Sequence, residues 1–250
     1  MFERKTFQHH YEGVMEPFRI IGNVYFVGCF PASSHLIDTG DGLILIDTGY
    51  EDTLHLLINS IYRLGFSPYD VKYILHTHWH GDHTAATAAF VHLTGAKTLI
   101  GAKDEAKVLK YFRPDVLLRE GDTLQLGNTT IEILETPGHT EGCISPFFTA
   151  TENGKTYRVG MFGGAGANTL VPDQYDYDGC VADYLRSVER LKTIPVDVFI
   201  GNHVWNNDTL VRGEILRTTG ENRFIDGDLW LQFLDFCKNR AEEVHRKHQA

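Results

Sequence analysis

Eight consecutive residues, His76-Thr77-His78-Trp79-His80-Gly81-Asp82-His83, carry four imidazoles and one carboxylate. Imidazole nitrogen and carboxylate oxygen are the usual donors for zinc and similar ions. Gathering their dipoles and charge without a cation would be costly. A polar turn of solvated histidines is the bland alternative, and the density of donors argues against it. Two further loops have the same form, an apolar run that ends in a histidine. They are Thr136-Pro137-Gly138-His139-Thr140 and Gly201-Asn202-His203. Either histidine alone would more often be an ordinary surface or hydrogen-bonded residue. Their matched placement beside the cluster is what favours a shared metal site.

The elements that would position these loops are legible as hydrophobic runs. Tyr73 to Leu75 reads as a buried strand leading into the cluster, and Leu43 to Asp47, apolar on both faces, as a central strand. Phe18 to Cys29 suggests a hairpin about Gly22-Asn23. Ile144 to Thr149 and Tyr157 to Phe162 are expected to pair across Asn153-Gly154. Helices are expected where apolar residues recur on one face: Leu54 to Leu64, Ala85 to Leu93, Lys103 to Tyr111, Val181 to Leu191, and two at the C-terminus. Strands are expected at Lys97 to Ile100, Thr129 to Leu134 and Val196 to Ile200, and Val171 to Asp178 reads as a surface loop. With no linker or repeat to divide it, the chain of 250 residues reads as a single domain over 1–250, an α/β fold with two β-rich halves.

Composition narrows the partners. A net charge of −10 leaves no broad basic face, so nucleic acid and anionic membranes are not expected partners. No run is long enough to span a bilayer. The four cysteines are widely separated and form no CxxC pair, which reads as reduced thiols. Residues 1–10 lack the apolar core of a signal peptide, and a cytoplasmic location is expected. The sequence gives no indication of oligomeric state.

Taken together, these motifs resemble those of the metallo-β-lactamase-fold hydrolases. The superfamily signature H-x-H-x-D-H is present as His78-Trp79-His80-Gly81-Asp82-His83, and its aspartate sets the register, because starting at His76 would require aspartate at position 80. Leu45-Ile46-Asp47-Thr48-Gly49 resembles the earlier strand-turn motif, and the loops at His139 and His203 resemble two later ones. The resemblance implies a four-layer αββα sandwich and two zinc ions, although iron and manganese suit the same donors. It further implies that His78, His80 and His139 hold one metal and Asp82, His83 and His203 the other. Each set leaves an open position, as catalytic sites do. A hydroxide bridging the metals would then attack the carbonyl of a small-molecule amide, lactam, lactone or ester. Asp82 would also orient this nucleophile, and Asp47 and His76 would fix ligand orientation, with a simple buried, hydrogen-bonded histidine the equal alternative for His76.

One departure is informative. Many members, glyoxalase-II-like and lactonase-like enzymes among them, carry a bridging aspartate where this chain has Gly163-Gly164. Asp173, Asp176 and Asp178 lie further along. The pattern here resembles the third subclass of zinc β-lactamases, and a site without an anionic bridge should favour anionic substrates. The alternative on the same fold is an iron-dependent oxidoreductase or a sulfur dioxygenase. From position alone, Trp79, Asn168, Trp205 and Asn206, with Phe30, Tyr175 and Tyr177, are candidates for the substrate rim.

Overall fold

The computed structural model describes residues 8–170 and 180–249. Strands β1 (Phe18–Ile21), β2 (Val24–Phe26), β3 (His35–Asp38), β4 (Leu43–Ile46), β5 (Val71–Leu75), β6 (Lys97–Gly101) and β7 (Val116–Leu118) form one sheet in chain order. Its first four strands are antiparallel, and β4 to β7 run parallel. Strands β8 (Thr123–Leu126), β9 (Thr129–Glu135), β10 (Ile144–Glu152), β11 (Lys155–Gly160) and β12 (Val198–Phe199) form a second sheet in the order β12-β11-β10-β9-β8. Asn153 and Gly154 join β10 to β11 with φ of 51° and 76°. Such paired left-handed residues match the twist of a two-residue hairpin.

Helices α1 (Leu54–Arg63), α2 (Gly81–Thr84), α3 (Thr87–Thr94), α4 (Glu105–Val108), α5 (Cys180–Leu191), α6 (Thr209–Thr219) and α7 (Gly227–Gln249) complete the elements. The buried side chains fall into three layers that explain the stacking. Ile44, Ile46, Leu75, Ile131, Ile133 and Phe148 pack between the two sheets. Leu43, Leu45, Leu57, Ile61 and Phe90 lie between the first sheet and α1 and α3. Phe147, Tyr184, Phe199, Trp230 and Leu234 lie between the second sheet and α5 and α7. Strand β4 contributes to two of these layers, which is why its sequence is apolar at every position. Trp230 pins α7 by donating to the carbonyls of Leu191 and Ile194, at 3.3 and 3.1 Å. Helix–sheet–sheet–helix is the order expected of the αββα sandwich.

Local boundaries differ from the sequence reading in four places. The helix expected from Ala85 begins at Gly81 and breaks at Ala85-Ala86, where the Ala86 N–H is directed to the Gly49 carbonyl. The helix expected over Lys103 to Tyr111 is α alone at Glu105–Val108, after a short 3₁₀ turn at Ala102–Asp104. Its stretch has Val108 as the buried residue, too little apolar surface to hold a longer helix. β12 is two residues, Val198–Phe199, and β7 was not foreseen. The loop at Val171 to Asp178, with Tyr175 and Tyr177, lies outside the described residues. Among the described residues the four cysteines are buried and form no disulfide with one another, and no helix is long and apolar enough to cross a membrane.

Topology gathers the chemistry. Because β4, β5 and β6 are parallel, their C-terminal ends share one edge, and Asp47, His76 to His83, and Asp104 follow those ends. In the second sheet, β9 and β11 are both antiparallel to β10, and β12 is parallel to β11. His139, Gly163-Gly164 and His203 therefore also follow strands that end at one edge.

Candidate metal centre

At the end of β5 the chain turns sharply into α2. The Thr84 hydroxyl donates to the carbonyls of Trp79 and His80, at 3.0 and 2.9 Å, and the N–H groups of His83 and Thr84 return to His80. This turn brings Asp82 and His83 back beside His78 and His80. Donor atoms of His78, His80 and His139 all lie within 4.8 Å of one another, as do those of His78, Asp82 and His83.

The finer geometry sorts the six side chains into two groups. His80 Nδ1 faces His139 Nε2 at 3.0 Å, with His78 stacked edge-on to both rings. In the second group His83 Nε2 is 3.4 Å from His203 Nε2, and Asp82 Oδ2 is 3.5 Å from the first and 3.6 Å from the second. Donors about 2.1 Å from a tetrahedral zinc ion lie about 3.4 Å apart, so the second triangle has the size such an ion requires.

The opposite ring nitrogens are held by the protein. His78 Nδ1 meets the Thr77 hydroxyl at 3.0 Å, His139 Nδ1 donates to the Gly166 carbonyl at 2.7 Å, and His83 Nδ1 donates to Asp47 Oδ2 at 2.8 Å. His78 Nε2 is buried and has no hydrogen-bond partner among the described residues. An orphaned buried nitrogen is costly unless a cation takes its lone pair. The residues fit a metal centre.

Electrostatics agree. Burial, reinforced by the neighbouring imidazoles, pushes His78 well below the usual histidine range. Burial and His139 push His80 down to about 3, and burial lowers His139 to about 4. The first trio is therefore neutral, with lone pairs available. His83 is the opposite case: burial opposes its charge, but Asp82 and Asp47 overcome this and raise its pKa. A metal bound there must displace that proton. Zinc uptake by the second group is thus expected to weaken as the pH falls through the raised pKa of His83, while the first group, whose imidazoles are neutral there, holds its ion. Calorimetric zinc titrations at several pH values check this; identical pH dependence of both affinities would contradict it.

Asp47 underlies the second group. It is 1% exposed and adopts φ of 57°, a left-handed conformation that aspartate tolerates through its short polar side chain. Its carboxylate accepts from the Thr77 N–H at 2.9 Å, the Thr77 hydroxyl at 2.8 Å and His83. Burial would raise this carboxyl, but His83 and His76 outweigh it and hold it well below the usual carboxylate range. His76 is fully buried; its Nδ1 is 3.7 Å from Asp47 and its Nε2 is 3.2 Å from the Thr87 hydroxyl.

At the rim, Trp79 is half-buried with its ring 4.4 Å from His80, and Trp205 stacks on His203 at 4.3 Å. Phe30, itself buried, packs edge-on to Trp205. Asn168 is exposed, beside Gly166. Asn206, expected at the rim, lies beside His203. It is 7% exposed, and its Oδ1 accepts from the His203 N–H at 2.9 Å, so it secures the turn beneath His203.

Two residues escaped the sequence reading. Thr77 links Asp47 to His78. Asp104 accepts from the Trp79 N–H (3.1 Å), the Thr140 hydroxyl (2.8 Å) and the Gly142 N–H (2.9 Å), tying the loops of His78 and His139 together. Burial raises its pKa to about 6. Asp104 follows an apolar strand, the same form that singled out the histidines, so a search for carboxylates at strand ends would have found it.

The backbone at Gly163-Gly164 has no room for a side chain. A Cβ at Gly163 would lie 1.9 Å from the Ile144 carbonyl oxygen, and one at Gly164 would lie 2.3 Å from Cys143 Sγ.

The profile of the metallo-beta-lactamase superfamily matches residues 27–203. A hydroxyacylglutathione hydrolase of Cereibacter sphaeroides is 32% identical over 127 residues, 51% of this chain and 46% of that protein. The match thus spans about half the length of that relative. The structure superposes on BJP-1, a subclass B3 metallo-β-lactamase of Bradyrhizobium japonicum, with a TM-score of 0.88 at 27% identity, covering 96% of this chain and 97% of the other. For LRA-12, a class B3 di-zinc metallo-β-lactamase from an Alaskan soil metagenome, the TM-score is 0.84 at 25% identity, covering 97% and 99%. A match through the segment that carries all six candidate ligands, on a sandwich shared nearly end to end, establishes that the chain belongs to the metallo-β-lactamase superfamily.

Proposed function

We propose that this chain is a dinuclear zinc hydrolase of β-lactamase type, acting on the carbonyl of a small-molecule amide or lactam, with lactones and esters as related substrates. The observation that carries the reading is the pair of converging donor groups, three neutral imidazoles in one and Asp82, His83 and His203 in the other. When bound, zinc supplies a Lewis acid and lowers the pKa of a coordinated water towards neutrality.

The chain's own residues do the rest. Asp82 is held in the ionised form, because His83 and His203 outweigh the effect of its burial, so it can accept a hydrogen bond from the attacking water and aim it. Asp47, Thr77 and the Gly166 carbonyl keep the imidazoles in one tautomer and orientation. Trp79 and Trp205 wall the opening with apolar surface, which limits water around the reacting carbonyl.

The crowding at Gly163-Gly164 supports a lactam-type reading over that of the hydroxyacylglutathione hydrolases it partly matches, since no carboxylate can be accommodated at those positions. Four buried cysteines that form no disulfide with one another support a reducing compartment. The competing chemistry is an iron oxidoreductase or sulfur dioxygenase.

The test is a panel of lactam, lactone, ester and thioester substrates, assayed before and after chelation and with zinc or iron restored. The expected result is lactam hydrolysis lost on chelation and restored by zinc. Unchanged hydrolysis in metal-free protein, or activity that returns with iron alone, would overturn the proposal.

A further inference from the structure

Besides the metal-facing side chains, a cation stands beside the opening, next to Trp79. Lys110 follows α4 and is exposed, yet its Nζ is placed over two rings, 4.2 Å from the centre of Trp79 and 4.9 Å from that of Tyr111. Four other lysines pair with carboxylates, Lys103 with Glu141, Lys192 with Asp235, Lys238 with Glu189 and Lys247 with Glu243, and Lys155 lies over the single ring of Tyr157. Among the described residues the partners of Lys110 are rings instead.

Those rings reach the centre itself. Trp79 lies against His80. The Tyr111 hydroxyl sits over Gly81, between His80 and Asp82; a Cβ on Gly81 would come within 2.5 Å of it. The charge of Lys110 is also felt at His80, where it adds to burial and to His139 in depressing that imidazole.

The other wall of the opening has the opposite sign. A cavity of about 670 Å³ there is lined by Tyr50, Glu51, Asp52, Gly81 and Asp82, with His10 bonded to Asp52 at 3.0 Å. Gly81 thus borders an acidic wall at Glu51 and Asp52 and, through Tyr111, a cationic one at Lys110. An acidic substrate is repelled from the first wall and drawn to the second.

We propose that Lys110 is a specificity-determining residue, whose ammonium group, steadied on Trp79 and Tyr111, receives the carboxylate of an acidic substrate and so orients its reactive carbonyl over the metal centre. This deepens the hydrolase reading and rests on it. An ammonium steadied by two aromatic faces retains N–H donors for an incoming anion, because a ring neither neutralises its charge nor uses all three donors.

Two readouts test it on the zinc-loaded protein. In the first, calorimetry compares mercaptoacetate with its neutral amide, which share a thiol and differ in charge. Wild type is expected to prefer the anion. In Lys110→Met that preference falls about tenfold, Lys110→Arg retains it, and in wild type it shrinks as salt is raised from about 0.05 to 0.5 M. In the second, a chromogenic cephalosporin with its free carboxylate is compared with its methyl ester. Lys110→Met is expected to raise KM for the acid about tenfold relative to the ester, with little change in the ratio of kcat values.

An unchanged anion preference in Lys110→Met, or one lost equally in Lys110→Arg, would overturn the assignment and leave Lys110 a lysine that merely covers the rings. Failure of the hydrolase reading is distinguishable: zinc-loaded wild type would then turn over neither cephalosporin, while the calorimetric comparison would still decide on Lys110.

Discussion

Asp82→Ala is expected to lower kcat/KM by about 10³-fold or more, while leaving the fold intact. Asp82 is the single carboxylate of the six proposed ligands, and its Oδ2 completes the triangle with His83 and His203. Without it, two imidazoles 3.4 Å apart are left to hold a divalent ion with no anionic donor. Zinc content should fall from about two ions per chain to about one, since the trio of His78, His80 and His139 shares no ligand with that triangle. The same substitution removes the acceptor that aims the attacking water, so the loss should fall on kcat as well as on metal affinity. Stability should change little, because Asp82 lies within a four-residue helix and its side chain is 26% exposed. Metal quantification with steady-state kinetics checks both halves. Two ions per chain with near-normal turnover would rule out the role given to Asp82.

Asp47→Ala is expected to have the largest effect on the folded protein, destabilising it by about 3–5 kcal/mol. The substitution strands three buried donors at once, the N–H and hydroxyl of Thr77 and Nδ1 of His83. It also places alanine at φ of 57°, where a Cβ without a polar side chain is strained. Zinc at the second group should bind about 10- to 100-fold more weakly, because His83 is no longer held in its orientation. The acid limb carries a signature of its own. Asp47 has a lower pKa folded than unfolded, so its contribution is present above the unfolded value of about 4 and is lost as the pH falls through the folded value. Wild type should therefore lose part of its advantage over Asp47→Asn below about pH 4. Thermal melts across pH, with zinc titrations at neutral pH, decide the matter. Equal stability of wild type and both variants would show that Asp47 does not support the centre.

Much of this architecture could be read from the chain because its signals are local. Leu43–Ile46 and Val71–Leu75 are strands flanked by turn residues, and the spacing of His78, His80, Asp82 and His83 lies within one strand-to-helix turn. His139 and His203 were found by the form of their loops, and parallel pairing then explains why strand ends so distant in sequence share an edge. What stayed hidden depends on distant partners. The role of Asp104 requires Trp79, Thr140 and Gly142, which are 25, 36 and 38 residues away. Strand β7 gives no alternation of its own, with Val116 exposed, and exists through pairing with β6. The break between α2 and α3 is set by the Gly49 carbonyl, and nothing in Ala85-Ala86 announces it. Lys110 was equally silent, because a cation after a short helix gains meaning only from the rings beneath it.

The central claim is that two separate donor groups each bind a zinc ion. Anomalous diffraction at the zinc absorption edge, on crystals of zinc-loaded protein, tests it most directly. Two peaks are predicted: one within bonding distance of His78 Nε2, His80 Nδ1 and His139 Nε2, the other of Asp82 Oδ2, His83 Nε2 and His203 Nε2. A single peak at full zinc saturation, or a peak outside these six side chains, would contradict it.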